Sequence, residues 1–169
     1  MTQTIIGIDP GLASTGVGFV EIAGSGYRYV HHEVIRTNSD TEHAARLLSI
    51  YDRLTELVAK YGPMRAGVES LYFARNATSA IPVAEARGVV LLALHSAGVR
   101  VREYPPQSIK QAVVGVSRAD KTQVQELVRV ILGLKEVPRP DHAADALAAA
   151  ICEGNSSALL ERQARGDHT

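Results

Sequence analysis

The run Thr4-Ile5-Ile6-Gly7-Ile8-Asp9 constrains this chain more than any other segment. It is β-branched and apolar, without the polar alternation of a half-solvated strand, and Pro10-Gly11 stops it. Such a run reads as a central strand buried on both faces, so the sheet that holds it needs a covering layer on each side. Its last residue is a carboxylate, at the strand end where open sheets bind ligands.

The remaining elements supply those layers. Gly16 to Ile22 and Tyr27 to Arg36 read as strands around the turn Ala23-Gly24-Ser25-Gly26, giving an antiparallel meander. Thr37-Asn38-Ser39-Asp40 offers capping residues for a helix that keeps an apolar period from Leu47 to Val58 and stops at Gly62-Pro63. A short strand from Arg65 to Glu69, a helix from Asn76 to Ala97 and a strand from Val99 to Tyr104 follow. Helices are then expected over Gln107 to Val114, Lys121 to Leu132 and Asp141 to about Leu160. This order predicts an α/β sandwich on a mixed sheet.

At 169 residues the chain fits one domain, expected over residues 1–160, with a polar, disordered tail over 161–169. The zero formal net charge decides nothing about nucleic acid, because local patches govern binding. The lone Cys152, in the apolar stretch Ala148 to Ile151, reads as a small buried hydrophobe in a reducing compartment. No signal peptide or membrane-spanning run is visible, which points to a cytoplasmic protein without a membrane partner.

Two further acidic segments join Asp9. Ala66-Gly67-Val68-Glu69 ends a second strand on a carboxylate, costly to bury without a partner. Asp141-His142-Ala143-Ala144-Asp145 opens an Ala-rich helix on which His142 and Asp145, three apart, share a face. Asp141, after Pro140, reads as the helix N-cap. The flank Ala146 to Ala150 is small enough that the helix must pack closely, so Asp145 at its mouth reads as functional. Each carboxylate alone has a bland alternative. Gathered together they would form an oxygen-rich site for hard divalent cations and phosphodiester chemistry.

Two other groups point toward DNA. Tyr72 and Phe73 stand beside Arg75 and Asn76, just after Glu69, where aromatic rings could stack on or wedge between bases or else anchor the next helix. Lys110, Arg118 and Lys121 sit at helix ends, where basic side chains contact phosphates.

The ordered set of motifs resembles the RuvC family of bacterial Holliday junction resolvases, in the ribonuclease H-like superfamily. The resemblance runs from about Thr4 to Ile151. It rests on Gly7-Ile8-Asp9-Pro10-Gly11, the block from Glu69 to Gly88, Ile109-Lys110, Val113-Val114-Gly115, Ala119-Asp120-Lys121, and His142-Ala143-Ala144-Asp145-Ala146-Leu147-Ala148. It implies a ribonuclease H-like fold, with a mixed five-stranded sheet and helices on both faces. It also implies a homodimer that nicks opposed strands of a four-way DNA junction, leaving 5′-phosphate and 3′-hydroxyl ends. The implied partners include the branch-migration helicase complex of RuvA and RuvB.

The family's metal positions map onto Asp9, Glu69, His142 and Asp145, with Mg²⁺ or Mn²⁺ implied, two per active site. Asp9 would bridge both cations, Glu69 and Asp145 would each hold one, and Lys121 would neutralise the scissile phosphate. Most members carry Asp where this chain has His142; an imidazole suits softer ions and weighs toward Mn²⁺. Lys110 and Lys121 map onto phosphate-binding lysines, and Tyr72 or Phe73 onto a base-wedging aromatic. Two rival readings use the same motifs: an actin-like or sugar-kinase phosphate loop at Asp9 to Gly16, and a junction-binding scaffold without catalysis.

Overall fold

The computed structural model describes residues 3–70, 77–116 and 118–164. Its strands are β1 (Thr4–Asp9), β2 (Ser14–Ala23), β3 (Gly26–Arg36), β4 (Arg65–Glu69) and β5 (Arg100–Tyr104). Its helices are α1 (His43–Tyr61), α2 (Ala77–Ser96), α3 (Pro106–Val114), α4 (Lys121–Ile131) and α5 (Asp141–Ala164). The five strands form one sheet in the order β3-β2-β1-β4-β5. The β1–β2 and β2–β3 pairs are antiparallel, and β1–β4 and β4–β5 are parallel. The apolar run that ends on Asp9 is thus the middle strand, as its composition requires.

Alternation along the strands sorts side chains between two cores. Ile6 and Ile8 of β1, Val17 and Phe19 of β2 and Val68 of β4 face α1 and α2, with Ile50, Leu54, Val90 and Leu94. Ile5 of β1 faces the other layer, where Ile109, Val124, Val128, Leu147 and Ile151 of α3, α4 and α5 close over the sheet. By the same parity, Gly7 and Asp9 of β1 and Gly67 and Glu69 of β4 all face α5.

The contact between α5 and the sheet is unusually close. A Cβ built on Gly7 would lie 1.9 Å from the Ala146 carbonyl oxygen and 2.4 Å from the Ala150 amide. At Gly16 it would lie 1.9 Å from the His142 carbonyl oxygen, and at Gly67 2.4 Å from that of Ala149. Glycine on the strands and alanine on the helix therefore bring the two backbones into direct contact. Gly16 makes room for α5 itself.

Three local expectations change. Residues 37–40 do not cap α1: Asn38 Oδ1 accepts the Asp40 amide at 3.0 Å, and the N-cap is Glu42, without a side-chain cap bond. Asp141 does not act as an N-cap; it is the first residue of α5, and its carboxylate turns toward α4. The helix α5 runs to Ala164, past the end expected near Leu160, because Glu161, Arg162, Gln163 and Ala164 are all good helix formers. Residues 165–169 of the expected tail lie outside the described residues.

Candidate metal centre

Strand register builds the site. Gly7 pairs with Gly67 and Ile8 with Val68, so the next residues, Asp9 and Glu69, end neighbouring parallel strands on the same face. The Asp9 carboxylate stands near enough to Glu69 to help push its carboxyl up. The helix α5 crosses above them, and its first turns carry His142 and Asp145. His142 Nδ1 lies 2.6 Å from Asp9 Oδ2. One ligand atom from each of Asp9, His142 and Asp145 falls within 4.8 Å of the others.

The fourth expected ligand, Glu69, stands beside this trio. It lines a cleft of about 160 Å³ together with Asp145, Lys110 and Lys121, backed by Ile109 and Val124. Lys121 Nζ donates to Asp145 Oδ2 at 3.2 Å and to Asp141 Oδ2 at 3.3 Å. Gln125, buried on α4, donates from Nε2 to Asp141 Oδ1 at 3.1 Å. Arg118 is exposed on the turn before α4 and does not line the cleft. Tyr72, Phe73, Arg75 and Asn76 lie outside the described residues.

Sequence reasoning missed what fixes Lys121. Asp120 Oδ1 accepts the Gln123 amide at 2.9 Å, and Gln123 Oε1 accepts the Asp120 amide at 3.0 Å. This capping box sets Lys121 as the first residue of α4. Its signal, Asp followed three residues later by Gln, was present in the sequence.

The electrostatics of the cluster are those of crowded acids. Burial, reinforced by the Asp9 and Asp145 carboxylates, pushes the Glu69 carboxyl up from 4.5 to about 8. Burial also raises Asp145, against the pull of Lys121. Burial acts to lower the Lys121 ammonium, but Asp145 and Asp141 together raise it. Carboxylates forced this close gain from a cation among them, and an imidazole with two or three carboxylates is a fitting donor set for a divalent ion.

The shift at Glu69 yields a prediction. Its folded value lies above its unfolded one, so its contribution to stability is complete below about 4.5 and is lost as pH rises through about 8. The melting temperature of chelator-treated protein should fall across that window. Glu69→Gln, which mimics the protonated acid, should flatten the fall; an unchanged slope would remove Glu69 as its source.

The mixed five-stranded sheet, with helices on both faces, is a ribonuclease H-like fold. The family model described as "Crossover junction endodeoxyribonuclease RuvC" matches residues 5–153, and the chain belongs to that family. The crossover junction endodeoxyribonuclease RuvC of Treponema denticola is 58% identical over 151 residues, covering 89% of this chain and 85% of the relative. The Thermus thermophilus RuvC structure is 38% identical with a TM-score of 0.87, covering 93% of this chain and 96% of that one. T. thermophilus RuvC in complex with Holliday junction substrate superposes at a TM-score of 0.84, with the same identity and coverage. Membership makes the chain an enzyme, which sets aside the scaffold and phosphate-loop readings.

Proposed function

We propose that this chain resolves four-way DNA junctions by cutting two opposed strands, using the cluster of Asp9, Glu69, His142 and Asp145. The observation that carries this reading is the convergence of Asp9, His142 and Asp145 beside Glu69 and two lysines, on a fold shared with a RuvC bound to its junction. These four side chains would hold Mg²⁺ or Mn²⁺, two ions per site, which when bound supply an activated water and neutralise charge on the phosphodiester. His142 gives the set an imidazole, which favours Mn²⁺.

The chain's own groups do the remaining work. Lys110 and Lys121 line the cleft and offer ammonium groups to a phosphate. Asp141 shares Lys121 with Asp145, and so holds its Nζ at the mouth of the site. Asp9 anchors the His142 ring through Nδ1. The nicks leave 5′-phosphate and 3′-hydroxyl ends. Tyr72 or Phe73, with Arg75 and Asn76, enters the junction, and Arg118 contacts its backbone.

Paired cuts need two sites, and a homodimer supplies them. Its surface includes α2, where Ala86, Val90 and Leu94 are buried while Ile81 and Leu92 remain 58% and 59% exposed. No helix of the described residues is long and apolar enough to cross a membrane, in keeping with a cytoplasmic enzyme. RuvA and RuvB are its proposed partners.

The test is cleavage of a mobile synthetic four-way junction against linear duplex, with Mg²⁺ and Mn²⁺ in parallel. The expected result is symmetrical nicking of the junction alone, metal-dependent and faster with Mn²⁺. Equal cutting of linear duplex, or cutting in excess chelator, would overturn the reading.

A further inference from the structure

One acidic residue is buried far more deeply than any in the cluster. Glu153, on α5, is 2% exposed. It lies on the helix face that carries Ala146, Ala149 and Ala150, over the sheet. A Cβ built on Gly67 would lie 3.0 Å from the Glu153 Cβ, so the stem of Glu153 rests on β4 two residues before Glu69.

The Glu153 carboxylate is gripped from two directions. The Tyr104 hydroxyl donates to Oε2 at 2.6 Å, and the Ser157 hydroxyl donates to Oε1 at 2.6 Å. Arg102 Nη1 stands 3.9 Å from Oε1. The Ser157 bond stays within one helix. The Tyr104 bond differs in kind, because it joins α5 to the last residue of β5.

Tyr104 is bound to the site through the sheet. It is the register partner of Glu69 across β4 and β5. Its carbonyl oxygen accepts the Ser70 amide at 2.9 Å, directly after Glu69. One residue thus holds the β4 strand end by its backbone and α5 by its hydroxyl. The same helix carries His142 and Asp145.

We infer that Tyr104 and Glu153 form a clamp that positions Glu69 against the α5 ligands. They are positioning residues: neither lies among the ligand atoms. This rests on the assignment of Glu69 to the metal site. A buried carboxylate is costly, and hydrophobic contact alone would hold a helix to a sheet. A directional bond between strand end and helix adds what packing does not, a fixed register between the two halves of a ligand set. Groups that orient ligands in this way typically change metal affinity or activity by about 10- to 100-fold when removed.

The experiment compares Tyr104→Phe with Ser157→Ala in the full-length protein. Each removes one hydroxyl donor from the same carboxylate. Two quantities are read: the single-turnover nicking rate on a four-way junction at saturating protein, and the Mn²⁺ concentration that gives half of the metal-induced rise in melting temperature. For Tyr104→Phe we expect a rate about tenfold lower and an Mn²⁺ midpoint moved upward by about the same factor, with junction affinity unchanged. Ser157→Ala should lose comparable thermal stability and keep both readouts. Glu153→Gln, which can still accept from Tyr104, should retain most of the rate.

Wild-type behaviour of Tyr104→Phe in both readouts would overturn the clamp, as would equal losses in Ser157→Ala. A wild-type protein whose melting temperature ignores Mn²⁺ would instead overturn the metal site itself. The two failures are therefore told apart by the unmutated chain.

Discussion

Asp9→Asn is expected to abolish nicking and leave junction binding intact. Asp9 stands between the two halves of the cluster, ending the strand next to that of Glu69 and lying 2.6 Å from His142 Nδ1. Asparagine keeps its size, so the strand end should not move. It removes the charge, and its amide nitrogen would face either the ring or the acid. Ion-dependent stabilisation is worth several kcal/mol, and each ~1.4 kcal/mol is tenfold in rate, so the loss should be at least ~10³-fold. Single-turnover nicking beside an electrophoretic binding assay measures both quantities. Nicking at the wild-type rate would remove Asp9 from the catalytic set.

Gly7→Ala should be the most damaging substitution that touches no functional group. The new methyl would lie 1.9 Å from a carbonyl oxygen and 2.4 Å from an amide nitrogen of α5. Those atoms belong to helix backbone and cannot rotate away as a side chain could. Overpacking of this kind costs roughly 3 kcal/mol or more. Relief requires α5 to lift from β1, which carries His142 and Asp145 away from Asp9. Both melting temperature and nicking should therefore fall. Gly88→Ala is the matched control: nothing lies within 4 Å of its Cβ, and it sits inside α2, where alanine is favoured by up to ~1 kcal/mol. A Gly7→Ala protein as stable as that control would refute the close contact.

The sequence made the strands readable where composition and punctuation agreed. The bounds of β1 and β4 follow from apolar runs, Pro10-Gly11 after one and Gly62-Pro63 before the other. The smallness of the α5 flank announced close packing, and motif order selected Asp9, Glu69, His142 and Asp145. What stayed hidden depends on pairs distant in the chain. Nothing near Gly16 says that its missing side chain makes room for His142. Asp141 looked like a cap because Pro140 precedes it, while its real partners, Lys121 and Gln125, lie on another helix. Glu153 reads as one more polar residue in an Ala-rich segment until Tyr104 is placed beside it by the sheet. Local signals fixed the elements; register and crossing decided which side chains meet.

The double grip on Lys121 has a consequence for assembly. Its ammonium lies between Asp141 and Asp145, at the edge of a group of acids that repel one another. The cluster thus brings a counterion of its own, supplied by the chain. Folding need not wait for an external cation to make the crowding tolerable. A divalent ion held by these acids would share with Lys121 the neutralisation of Asp145, so the charge on Lys121 should matter most to the stability of the ion-free protein.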